Sequence, residues 1–299
     1  MSLEAFYTLT RFAHFIATML MCGMSMFAVI VSHGQFRVLL QDALKKSIIF
    51  SAVITIITTF CWMIAQSGLM GDGWEDALNM DIWQGVVLGT TFGQIWRWEI
   101  LSAVGLFAVL FIRPITLKLY LILGFSVIIL GLHAFIGHAA MNEGWLRVAH
   151  QTNQFIHLIS CAYWFGGLWP FLICIQFLRS NDKLKAGLET QVVVSMKRYS
   201  QLGHVAVVCV LITGIINSLI LLPGWPFIAT LSEYQSWLWL KIALVGLMVL
   251  LALTNRYWVV PRLQQQGRIN YLIINSWAEL LLGTIAILTV AVFATYQPV

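Results

Sequence analysis

The chain has 299 residues, 60% apolar and only 10% charged, with a mean hydropathy of +0.86 and a formal net charge of +5. That balance excludes an ordinary soluble globule, and loop topology accounts for the basic excess better than nucleic-acid binding does. Apolar runs of about 20 residues recur, each long enough to cross a hydrocarbon layer about 30 Å thick. They are too long for barrel strands, so the expected fold is all-α, a polytopic membrane helix bundle whose backbone is satisfied within its own helices.

Eight transmembrane helices are expected, at 4–32, 46–69, 95–112, 115–138, 149–178, 196–221, 236–258 and 270–295. No basic segment precedes the first run, so it is read as a span and not as a cleavable signal. Residues 70–94 form the longest connection, with an acidic turn at Asp72, Glu75 and Asp76 and a piece around Trp83 suited to the membrane interface. The connections 33–46, 113–118, 179–198 and 256–268 hold thirteen of the seventeen Lys and Arg residues. The positive-inside rule places these four in the cytoplasm and both termini in the periplasm. The five cysteines all fall inside spans with no CxxC pair, so a disulfide framework is not expected.

One transmembrane domain, 1–299, is expected, with an internal repeat of halves 1–145 and 146–299. Phe12-Ala13-His14-Phe15-Ile16 with Gly23 parallels Phe155-Ile156-His157-Leu158-Ile159 with Gly166, and Trp96-x-Trp98 parallels Trp237-x-Trp239. Such a parallel repeat is related by an axis along the membrane normal. It makes His14 and His157 equivalent, each about ten residues, roughly 15 Å, from its outer helix end.

Four of the seven histidines (His133, His138, His150 and His157) lie between 133 and 157. His150 and His157 share one helix face, which Asn153, Gln154, Cys161 and Trp164 continue. Ionisable groups within a membrane mark pathways or sites, although such a stripe could also serve only to bond helices together. His14 and Met21 share a face of the first span. Thioether, thiol and imidazole donors suit Cu(I), although methionine is more often a flexible core filler. His204 lies a few residues in from the basic end of the sixth span. His133, five residues before His138, is expected to face elsewhere and ranks last. Arg11 is expected to pair with Glu99, and Lys241 with Glu279, because a paired charge is the least costly kind in a membrane. No Walker loop, GxSxG elbow, HExxH or dinucleotide fingerprint is present, so the chain is not expected to be an enzyme.

Gly137-His138-Ala139-Ala140 with Asn142-Glu143-Gly144, His150-Gln151-Thr152-Asn153, Ile156-His157 and Trp164-Phe165-Gly166-Gly167-Leu168 resemble the copper resistance protein D family. Arg198-Tyr199-Ser200, Gly203-His204, Thr213-Gly214, Asn255-Arg256, Pro261-Arg262 and Glu279 continue the likeness in order, with Tyr199 where Phe would be expected. The resemblance implies a bacterial inner-membrane protein of copper homeostasis that moves copper, as Cu(I) or Cu(II), inward from the periplasm, often with a periplasmic CopC-like copper-binding protein. Apart from the resemblance, the depth of the residues suggests that His138, His150 and Met141 would accept copper, that His157 and His14 would relay it, and that His204 would lie on the release side, with Met21 a further candidate ligand. Two rivals stand beside this expectation. A b-type haem held by His14 or His157 is one, and a copper sensor or assembly partner without transport is the other.

Overall fold

A computed structural model describes residues 1–137, 142–179, 186–222, 232–262, 267–293 and 296, and every regular element among them is helical. Helix α1 (Leu3–Met26) begins where the Ser2 hydroxyl accepts from the Ala5 N–H, with Glu4 favourably placed in the first turn. It runs on through a π-helical turn, Phe27–Val31, before the chain turns at Ser32. Helix α2 (Gly34–Met70) follows, entered through Gly34 at φ 58°, a conformation only glycine adopts freely.

A short helix α3 (Met80–Gly89), capped by the Asn79 side chain, leads into α4 (Thr91–Val109), capped by Thr90. Helix α5 spans Ile115–His133. The chain continues with α6 (Gly144–Arg179), α7 (Ala186–Leu221), α8 (Glu233–Thr254, continued by irregular turns to Arg262) and α9 (Arg268–Phe293). Seven of the helices are long and apolar enough to cross a membrane. The eighth expected span corresponds to α4, which is 19 residues long but carries Gln94, Arg97 and Glu99 and is not among those seven.

Helices α2 and α7 begin about ten residues earlier than expected, because the basic stretches around Lys45–Lys46 and Lys197–Arg198 continue the helix instead of forming loops. Helix α5 stops earlier than expected, at His133, where the chain breaks into a turn toward Gly137 at φ 71°.

The bundle is built around α1, which packs against α2, α5, α6 and α9. Its crossing with α6 is a backbone contact. A Cβ added to Gly23 would lie 2.6 Å from the Gly166 Cα, and one added to Gly166 would lie 2.9 Å from the Gly23 Cα. Without water to drive apolar surfaces together, membrane helices gain from such close approach of small residues. Below the crossing, Met21, Cys22, Met24 and Phe27 fill one continuous apolar core with Leu106, Ile122 and Leu158.

Candidate metal centre

Three helices bring one polar side chain each to a single point in the first half. These are His14 from α1, Glu99 from α4 and His133, the last residue of α5. One ligand atom from each lies within 4.8 Å of the others. The His14 Nε2 is 3.3 Å from the Glu99 Oε1, and the two imidazole centroids are 5.0 Å apart. His14 and Glu99 have no exposed surface and His133 has 5%.

Local hydrogen bonds fix both tautomers. The His133 Nδ1 lies 2.7 Å from the Ile129 carbonyl oxygen, which can only accept, so the proton sits on Nδ1 and the Nε2 lone pair is bare. The His14 Nδ1 lies 2.9 Å from the Thr58 hydroxyl. That hydroxyl already donates to the carbonyl of Ile54, at 2.7 Å, so it accepts from His14 and leaves the second Nε2 bare as well. Neither Nε2 and neither Glu99 oxygen has a hydrogen-bond donor. Two lone pairs and a carboxyl therefore face one another in a site that only His133 opens toward solvent. Such a confrontation is relieved by a proton held on Glu99 or by a cation in the middle, and two imidazoles with a carboxylate are a metal's donor set.

Aromatic rings box this cluster. The Trp62 ring lies 5.6 Å from His14 and 5.5 Å from His133, and Phe15 lies 5.1 Å from His133. Trp96 is anchored by its indole N–H on the Thr59 carbonyl at 3.3 Å. A cavity of about 230 Å³ reaches His133 from the end of the bundle where α1 starts and α9 finishes. Its walls include Arg11, His150, Gln154, Asn217 and Lys241.

The second half carries a different arrangement. The His157 Nδ1 lies 2.8 Å from the Thr213 hydroxyl, which itself donates to the Cys209 carbonyl, so His157 too presents a bare Nε2. Asn153 donates to the Thr213 carbonyl at 2.9 Å and to the Asn217 oxygen at 2.8 Å. Asn217 donates in turn to Gln154 at 2.8 Å, forming an amide ladder between α6 and α7. No His, Cys or carboxylate cluster forms around His157 among the described residues.

The residues singled out in the sequence therefore separate. His14 is in the cluster. His150 stands apart at the mouth of the cavity, where its Nδ1 accepts from the Asn142 amide at 2.8 Å, leaving its own proton on Nε2. His204 is half-buried, bonded to the Ser200 carbonyl at 2.6 Å and near the Tyr257 hydroxyl at 3.4 Å. Met21 is fully buried in the apolar core and is not part of the cluster. His138 and Met141 lie outside the described residues.

Neither expected ion pair forms. Arg11 lies over the rings of Tyr7 and Trp62, at 5.2 and 5.5 Å, while Glu99 turns to His14. Glu279 instead accepts from Asn255 at 2.9 Å and from Trp164 at 3.4 Å. His133, ranked last in the sequence, and Glu99, assigned to a structural pair, prove to be two of the three clustered groups. The low rank of His133 came from extending the helix to His138. With α5 ending at His133 the five-residue spacing no longer sets a helix face. A usable signal was depth, since Glu99 and His14 both lie well inside their helices, counted from the same end of the bundle.

Comparisons with known proteins agree on one kinship. The family model described as "Copper resistance protein D-like, N-terminal domain" matches residues 2–148, and "Copper resistance protein D" matches residues 193–293. The chain is similar to the "Inner membrane protein YebZ" of Escherichia coli (strain K12), at 36% identity over 96% of this chain and 97% of that one. It is also similar to the "Copper resistance protein D" of Pseudomonas syringae pv. tomato, at 26% identity over 85% of this chain and 82% of the relative.

Proposed function

The chain belongs to the copper resistance protein D family, and on that premise we propose that it carries copper across the bacterial inner membrane through the His14–Glu99–His133 cluster. What carries the proposal is the confrontation of three acceptor groups, all within 4.8 Å and none with a donor, at the floor of a cavity. A role in copper homeostasis and resistance follows from the family. The inner membrane follows from the name of the YebZ relative together with the seven apolar helices. Inward movement, from periplasm toward cytoplasm, is the direction proposed; the loop charges and the cavity at the end where α1 starts and α9 finishes support a periplasmic entrance.

In this proposal His14 and His133 offer two neutral imidazole nitrogens and Glu99 supplies the compensating charge. That set of nitrogen and oxygen donors favours Cu(II) over Cu(I). The earlier preference for Cu(I) rested on Met21 and its sulfur-bearing neighbours, which pack into the apolar core. Trp62, Trp96 and Phe15 keep water away, so the carboxylate acts on its cargo at full strength. His150 guards the entrance, and His204, midway along α7, remains the release-side group. A periplasmic CopC-type copper-binding protein would deliver its ion at the open end of the cavity. The chain acts as a carrier and not as an enzyme.

Haem finds little support in this geometry, because both bare nitrogens face Glu99 between aromatic walls instead of an open slot. The test is radiocopper binding and uptake in proteoliposomes. Wild type is expected to bind and take up copper, and the double variant His14→Ala/His133→Ala to do neither. Uptake unchanged in that variant would overturn the proposal.

A further inference from the structure

The same cavity carries an unbalanced charge that the copper pathway does not use. Arg11 and Lys241 both line it, and among the described residues no carboxylate does. Arg11 is 7% exposed, its Nε–H has no hydrogen-bond partner, and its Nη1 donates to the Ala291 carbonyl over a long 3.5 Å. Lys241 was expected to meet Glu279, but that carboxylate is held by Asn255 and Trp164, and no ion pair to Lys241 is found among the described residues. Two cations without counterions are costly in a low-dielectric interior.

The neutral groups point the same way. The Gln154 oxygen is taken by Asn217, so its amide leaves N–H donors for the cavity. The His150 Nδ1 is taken by Asn142, so its remaining ring position is an N–H. The walls thus combine two cations with residues that carry N–H donors. A bare copper ion entering here would be repelled by Arg11 and Lys241 before it reached Glu99.

We propose that this cavity binds a compact monovalent anion, of the halide or small-carboxylate class, between Arg11 and Lys241. A volume of about 230 Å³ has room for such an anion with a few waters, since one water occupies about 30 Å³ of liquid. The bound anion cancels one of the two wall charges and Glu99 balances the other, so an arriving cation no longer meets a net positive site. The inference stands on the cavity alone and does not depend on copper being the cargo.

The experiment uses the full chain in nanodiscs without copper. Binding of radiolabelled chloride and of radiolabelled formate is measured at constant ionic strength against gluconate, an anion too bulky for the site. Saturable binding of one or both is expected. The affinity should fall at least about tenfold in Arg11→Met and in Lys241→Met, the scale of one charge-assisted hydrogen bond. Lys197→Met, which alters an exposed lysine on α7, should leave it unchanged. Chloride binding alone assigns a halide, and formate binding alone a carboxylate. Should either variant fail to fold, thermal stabilisation of the wild type by chloride or formate over gluconate is the second readout. No saturable binding with no stabilisation overturns the proposal, as does binding unchanged in both variants. Because copper is absent throughout, failure of the copper carrier leaves this result standing, and the reverse also holds.

Discussion

His14 on α1 and His157 on α6 are held in the same way, and the two differ in what lies beyond them. Each donates its Nδ1–H to a threonine on the next long helix, Thr58 at 2.9 Å and Thr213 at 2.8 Å, which leaves the lone pair on Nε2. In the first half that nitrogen meets a carboxylate and a second histidine. In the second half no such cluster forms among the described residues, and Lys241 instead lines the cavity. The first half therefore offers a pocket for a cation, and the second presents a cation to the cavity. A histidine at matching depth is not enough to make a ligand. The partner helices, α4 and α5 against α8 and α9, decide the chemistry.

The largest effects should separate the two halves. Glu99→Gln or His133→Ala is expected to weaken copper binding by more than about 100-fold, beyond the range that supporting groups command. His157→Ala should change it by less than about threefold, a contrast that isothermal titration in nanodiscs can read. Glu99→Gln should also leave the apoprotein at least as stable, by up to about 1 kcal/mol, because its amide donates to a bare Nε2 that now faces an acceptor. Equal losses from His133→Ala and His157→Ala would erase the distinction between the halves.

The threonines come next. Thr58→Val removes the acceptor that fixes the His14 tautomer and is expected to cost about 10–100-fold in copper affinity, whereas Thr213→Val should cost none. The shared crossing of α1 and α6 should respond alike from both sides. Gly23→Ala and Gly166→Ala each drive a methyl into the opposing backbone and should destabilise the fold by about 1–3 kcal/mol in thermal unfolding. Gly124→Ala, with nothing within 4 Å of its new methyl, should fall within about 0.5 kcal/mol of wild type. Met21→Leu should cost less than about 1.5 kcal/mol and leave copper binding unaltered, since Met21 packs in the core.

The helices were legible because lipid imposes one rule on every span, and the rule is written in composition. The contact of Gly23 with Gly166 was not legible, because the sequence offered the two glycines only as matching positions of a repeat and not as neighbours. The cluster was legible only in part. His14 could be recognised by its depth, but Glu99 and His133 lie on other helices, and their meeting depends on rotations that no one-dimensional spacing encodes. The ion pairs expected for Arg11 and Lys241 failed for a related reason. Opposite charges at similar depth pair only if their helices face each other, and here the aromatic faces of Tyr7 and Trp62 took Arg11 while Asn255 and Trp164 took Glu279. Helix termini mattered as much as helix faces. Ending α5 at His133 instead of His138 changed which histidine the bundle presents to Glu99.

X-ray absorption at the copper edge, on protein loaded with one equivalent of Cu(II) in nanodiscs, tests the central claim most directly. The account predicts a shell of nitrogen and oxygen neighbours with the outer-shell scattering of two imidazoles, lost in His133→Ala and kept in His157→Ala. A sulfur shell, or a spectrum indifferent to His133→Ala, would contradict it.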